Sequence, residues 1–318
     1  MSRIVYLSYP TGAVSGGQKV VLRHVEALTR LGFECVWWRS PASVPPPWLD
    51  FVVPMEVGGD FRPDDILVLP SDAPNALLTA AKGRHRVVVF EQNQFTFAGL
   101  AYDAIDQFPP GRAPTFIAVG QTNARSIRRA YPAAKVEIIP CFADERLFRP
   151  EADRVGAVAY SPRKRQSEAK IIQAFFKKVH ARHAALPWSE ITNLAEREVA
   201  RALGSSSLFL SLSRFESVGM TPLEAMASGA ICAGFTGIGG REFATNANGF
   251  WVPEDDCEAA ADALAEAADL VATGGAPLRQ MREAAFETAQ QWSYARFVTA
   301  LEDVWTRLAP EARTHSPQ

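Results

Sequence analysis

The chain predicts an α/β protein made of two parallel-sheet domains. Three observations carry that reading. Short apolar runs of strand length alternate with stretches of helical period. A glycine loop joins the first run to the first helix. The whole pattern starts again near residue 155.

The elements follow in order. Residues 4–7 form a short buried strand, and "SYPTGAVSGGQ" is the loop after it. In "KVVLRHVEALTRLGF", Val20, Val21, His24, Val25, Leu28 and Leu31 recur near helical spacing, and Gly32 is the expected stop. "ECVWW" is the next strand and "SPASVPPPWLD" a proline-rich surface loop. Further strands fall at 65–69, 86–90, 115–119 and 135–139, with helices at "NALLTAAK" and "NARSIRRAY". The second half opens with a strand at 155–160 and a long helix at 167–183. "NLAEREVARALG" is a helix, "LFLSLS" a strand and "ICAGF" another. Two amphipathic helices close the chain, with Ser293 capping the second and 311–318 a mobile tail.

Composition sets the class. Among 318 residues, 47% are apolar and 21% charged, enough for a sizeable core in each of two domains. Lys plus Arg (33) nearly balances Asp plus Glu (35), and a net charge of −2 gives no global case for nucleic acid. The four cysteines lack Cys-x-x-Cys spacing, and the five histidines do not cluster as metal ligands. No Asp-x-Asp occurs, so no metal and no cofactor are expected. The N-terminus reads as a strand and no apolar run reaches membrane-spanning length, so a cytoplasmic protein is expected. Arg125, Arg128 and Arg129 share one helix. They form either a solvated face or a weak peripheral contact with an anionic lipid surface.

The most informative stretch is "SRFESVGMTPLEAMASG", residues 213–229. Ligands of open parallel sheets bind outside the carboxyl ends of the strands. Glu216 follows the strand at 208–212, so it is expected there, although a solvated carboxylate at a strand end is the plainer alternative. Pro222 suits a first helical position, which makes Thr221 the N-cap and turns the amides of 219–223 toward a ligand. Thr221 and Glu224 also fit a capping box, which alone would account for Glu224.

The whole string resembles the E-x7-E signature of retaining GT-B glycosyltransferases, and glycosyltransferase family 4 in particular. Ser213, Glu216, Ser217, Gly219, Glu224, Ala225, Met226, Ala227 and Gly229 fit it. The resemblance implies two Rossmann-like domains facing across a cleft: 1–150 on the acceptor side and 151–290 on the nucleotide-sugar side, with the second apparently shortened. Residues 291–318 would be a C-terminal helix, carrying Phe297, Leu301 and Trp305, that crosses back to the first domain, plus a tail. By the same resemblance, Glu216 contacts the donor sugar, Glu224 the ribose, and the segment Ser217, Val218, Gly219, Met220 and Thr221 lines the donor site.

Weaker matches accompany it. Gly16 and Gly17 resemble the family's phosphate or acceptor loop; a structural turn is the alternative. "SPRKRQ" lies where the family grips the pyrophosphate, which makes Arg163 and Lys164 the candidates and Arg165 the reserve; a solvated basic turn is the alternative. Gly239 and Gly240 resemble the glycine-rich loop near the donor, or they are simply tight turns. Gln92 and Asn93 end a strand where an acceptor hydroxyl could be met. The segment 183–193 is where one βα unit of the second sheet looks missing or reduced.

The implied function is transfer of a sugar from a nucleotide sugar to a hydroxyl of a glycan, lipid-linked or small-molecule acceptor, as in polysaccharide biosynthesis. The anomeric configuration would be retained and no bound metal used. Two alternatives share the architecture: a nucleotide-sugar 2-epimerase and a non-catalytic nucleotide-sugar-binding subunit.

Overall fold

The computed structural model describes residues 2–10, 12–49 and 51–314. It divides into two units, Met1–Cys141 with Phe297–Gln318, and Phe142–Arg296.

The first unit is a seven-stranded parallel sheet. Its strands are β1 (Ile4–Ser8), β2 (Cys35–Arg39), β3 (Met55–Val57), β4 (Ile66–Pro70), β5 (Arg86–Glu91), β6 (Thr115–Ala118) and β7 (Val136–Ile138), in the order β3-β2-β1-β4-β5-β6-β7. The chain winds outward in both directions from β1, which puts a topological switch point between β1 and β4. The helix Gly16–Arg30 follows β1, and its apolar positions are buried. It ends where the periodicity predicts. Gly32 takes φ +81°, and the Phe33 amide returns to the Leu28 carbonyl at 3.0 Å.

Two expectations about this unit need correction. The proline-rich stretch is followed by a third strand, β3, at the sheet edge, whose three residues are largely exposed and so carry little apolar signal. The C-terminus is not a loose tail through 314. The Glu34 amide donates to Ala312 O at 2.8 Å, Thr314 N to Gly32 O at 2.8 Å, and Arg86 pairs with Glu311 at 2.5 Å. Residues 315–318 lie outside the described residues. From the last helix, Tyr294–Leu308, Phe297, Leu301 and Trp305 are fully buried. Trp305 Nε1 donates to Tyr6 Oη at 3.2 Å, and that hydroxyl faces His24 Nδ1 at 2.9 Å. Burial drops the His24 pKa to about 3, so the imidazole stays neutral.

The second unit is a five-stranded parallel sheet, β8 (Val155–Tyr160), β9 (Trp188–Glu190), β10 (Ser206–Leu212), β11 (Ile231–Phe235) and β12 (Gly249–Val252), in the order β12-β11-β10-β8-β9. The only strand in the segment at 183–193, among the described residues, is the three-residue edge strand β9, paired with β8. The long helix stops at Val179; His180 leaves helical geometry and a 3-10 turn, Ala181–His183, follows. Between β8 and β10 lies the second switch point, and β10 is buried along its whole length. Residues 142–150 belong to this unit by their contacts. Ser293 Oγ accepts from Arg296 N at 3.4 Å, as its position predicts, but Glu145 supplies the stronger cap. Its carboxylate accepts from the amides of Tyr294 (2.6 Å) and Ala295 (3.1 Å).

No described helix is long and apolar enough to cross a membrane. Arg125, Arg128 and Arg129 are exposed on the helix Gln121–Ala130.

Candidate active site

The second sheet's switch point brings together the loops after β8 and β10, and with them two residues read separately in the sequence. Lys164 Nζ lies 3.4 Å from Glu216 Oε1 and donates to the Phe215 carbonyl at 3.1 Å. Both side chains are only partly exposed. Phe215, between the strand end and Glu216, takes φ +50°. A bulky residue in the left-handed region stores local strain, as binding loops often do. Arg163 is exposed and forms no ion pair among the described residues.

Arg165, the reserve candidate, is withdrawn from solvent. It is 2% exposed, and its guanidinium meets Glu254, Asp255 and Glu168 while Nε donates to Ser213 O at 3.4 Å. It also lies over the Phe235 ring, 4.5 Å from the centroid. Its charge is thus buried and already engaged by carboxylates, unlike that of Arg163 or Lys164's partly exposed ammonium.

The helix after Glu216 starts earlier than the proline implies. It spans Met220–Ala227 and its N-cap is Gly219, at φ +82°. Thr221 is therefore inside the first turn and Pro222 is the third helical residue. Thr221 is thus not the N-cap that a Thr221–Glu224 capping box would require. A proline is tolerated there because the first amides of a helix have no intrahelical acceptor. Glu224 is 4% exposed, and Ser217 and Val218 are buried beside it in the same segment.

The second glycine loop acts by close approach. Gly239 N donates to Glu216 O at 3.2 Å. A Cβ on Gly239 would sit 2.2 Å from the carbonyl carbon and oxygen of Ser217, so only glycine lets the two backbones touch. Gly240 is buried in the same short helix, Gly237–Gly240. Among these groups, the Arg165 carboxylates were not legible as site residues; their partner lies 89 and 90 positions away in sequence.

In the first unit, the glycine loop and the end of β5 also meet. Gln92 Nε2 donates to Gly17 O at 3.2 Å, and a Cβ on Gly17 would lie 2.9 Å from Gln92 Oε1. Gly16 is the first residue of its helix. Asn93 is occupied structurally: its Oδ1 accepts from Phe95 N at 3.0 Å and caps the helix Gln94–Leu100.

Glu91 is completely buried. One oxygen accepts from Asn93 N at 2.7 Å and the other has no hydrogen-bond partner among the described residues. Burial, with a smaller push from the Asp72 charge, raises its pKa to about 8. The folded state therefore favours the protonated form. The stability this contributes is present below the ordinary glutamate range and is lost as pH rises through about 8. Glu91→Gln should remove that loss, so its melting temperature should gain on the wild type between about pH 5 and about pH 8. Parallel melting curves across that range would contradict the assignment.

The fold is that of the GT-B glycosyltransferases, two parallel α/β units each with a switch-point site. Residues 167–269 match the family described as glycosyl transferases group 1, a span that includes Glu216, Glu224 and Gly239 and begins just after Lys164. The chain is 25% identical over 283 residues to an alpha-1,6-glucosyltransferase of Actinobacillus pleuropneumoniae serotype 7 (strain AP76), covering 83% of each. Sucrose-phosphate synthase from Thermosynechococcus elongatus superposes with a TM-score of 0.71 at 13% identity, over 98% of this chain and 100% of that one. Anabaena HepE, solved with UDP-glucose, gives 0.69 at 12% identity, over 96% and 99%. These similarities support a glycosyltransferase.

Proposed function

We propose that the chain is a retaining, metal-independent glycosyltransferase of the family 4 type, moving a hexosyl group from a nucleotide sugar to an acceptor hydroxyl. The observation that carries this reading is the Lys164–Glu216 pair, 3.4 Å apart at the carboxyl end of the second sheet and beside a glycine-capped helix N-terminus. A cation, a carboxylate and first-turn amides in one place suit a ligand with a charged pyrophosphate next to a polyol.

In this reading Glu216 accepts from hydroxyls of the transferred sugar, and Glu224 from the ribose. Lys164, Arg163 and the first-turn amides of Met220 and Thr221 take the pyrophosphate. Gly239 and Gly240 hold the backbone of Ser217, Val218 and Gly219 in place. Gly16, Gly17 and Gln92 of the first unit supply acceptor or phosphate contacts. The acceptor oxygen bonds to the anomeric carbon as the bond to the phosphate oxygen breaks. Attack comes on the leaving-group face, and the departing phosphate takes the acceptor proton. Cations that neutralise that phosphate stabilise charge as it develops. HepE was solved with UDP-glucose and the Actinobacillus relative bears an α-glucosyl activity in its name, so UDP-glucose is the first donor to test. An α-linked product from that α-configured donor means retention.

The test is incubation with UDP-glucose and hydroxylated acceptors, with the anomeric configuration of the product read by NMR. An inverted product overturns the retaining assignment, and rearrangement of the donor without acceptor points to an epimerase. Because side-chain cations and amides carry the phosphate charge, excess EDTA should leave the initial rate nearly unchanged. Complete loss of activity, restored by magnesium or manganese, would overturn the metal-independent assignment.

A further inference from the structure

Arg165 is the most buried charge in the second unit's loop cluster, and its partners form a continuous path to Glu216. Glu254 pairs with the Arg165 guanidinium through one oxygen and accepts the Gly237 amide, at 2.8 Å, through the other. Gly237 takes φ +63° and lies so close to Ser213 that a Cβ would be 3.1 Å from its Cβ. Two residues on, Gly239 N holds the Glu216 carbonyl at 3.2 Å. Asp255, the other carboxylate on the guanidinium, has φ +67°, a conformation that costs a residue with a side chain. Its hydrogen bond to Arg165 holds its carboxyl below the usual range.

We infer that Arg165, Glu254 and Asp255 form a positioning clamp that fixes the backbone of Glu216 against Lys164. The inference rests on the function proposed above only for its effect on turnover. The cation touches no substrate. It ties together four loops that are distant in sequence: the one after β8 carrying Lys164, the one after β10 carrying Glu216, the one after β11 carrying Gly237 and Gly239, and the one after β12 carrying Glu254 and Asp255. Buried charges need all their partners, so loss of one carboxylate frees the others to rearrange. Small displacements of a positioned group are costly to a rate and cheap to ground-state binding elsewhere in the site.

The test is Glu254→Gln, which can still accept the Gly237 amide but loses the charge pair with Arg165. Hydrogen exchange of the unliganded protein should accelerate several-fold across residues 213–220 and stay unchanged in the helix Gln166–Val179. Turnover should fall roughly ten- to hundredfold, with donor KM and UDP affinity little altered. Asp255→Asn, at an exposed side chain, should give the same pattern to a lesser degree and serves where Glu254→Gln folds poorly. Unchanged exchange across 213–220 in both variants overturns the clamp. So does a lowered melting temperature with kcat intact, the mark of a merely structural strut. If the wild type binds no nucleotide but exchange responds as described, the clamp stands and the proposed function fails.

Discussion

Lys164→Ala should lower turnover by about two orders of magnitude or more while the fold survives. Its ammonium is the only candidate cation that the structure sets directly beside Glu216, and it is partly exposed rather than locked in the core. In the ground state it pairs with that carboxylate and with the Phe215 carbonyl. A pyrophosphate is a stronger partner, and its charge grows as the sugar bond breaks, so the lysine contributes most in the transition state. A partly exposed pair of this kind is worth only about 0–1 kcal/mol to folding, so the melting temperature should barely move. Arg163→Ala should cost less, because Arg163 is exposed and forms no ion pair among the described residues. Steady-state rates and melting curves of the two variants decide the matter. Near-full activity in both removes the pyrophosphate role from this loop, since Arg165 is already committed to Glu254 and Asp255.

Much of the fold was legible because its strands are short apolar runs between glycine- or proline-marked turns. β1, β2, β4, β5, β6, β8, β10 and β11 fall within a residue or two of their expected positions. β3 and β9 were missed for one physical reason. Each is a three-residue strand on a sheet edge with no buried alternation. The helix start at Met220 was misread because proline fixes φ without saying which residue of the first turn it occupies. Gly219 at positive φ carried the real signal. Within the site, the identities of Glu216 and Lys164 were legible, but their meeting was not, since it depends on β8 and β10 being sheet neighbours. Arg165 was indistinguishable from its basic neighbours until its carboxylates arrived from the loop after β12.

The two glutamates should fail in different ways. Glu216 sits in the loop beside Lys164, partly exposed, where a transferred sugar would be met. Glu216→Gln should therefore reduce kcat strongly and leave affinity for free UDP near that of the wild type. Glu224 is buried within the helix Met220–Ala227, eight residues after Glu216 in sequence, where the proposal puts the ribose. Glu224→Gln keeps the shape but replaces a charge-assisted bond to hydroxyls by a neutral one. Donor and free UDP should both bind more weakly, by about 1–2 kcal/mol, or roughly five- to thirtyfold. Because Glu224→Gln keeps an acceptor oxygen for whatever bond the carboxylate makes within the protein, a change in nucleotide affinity would report the ribose contact itself. Calorimetric titration with UDP, alongside kcat for each variant, separates the roles. If UDP affinity is untouched in Glu224→Gln, or falls in Glu216→Gln as far as kcat does, the assignment of sugar to one carboxylate and ribose to the other is wrong.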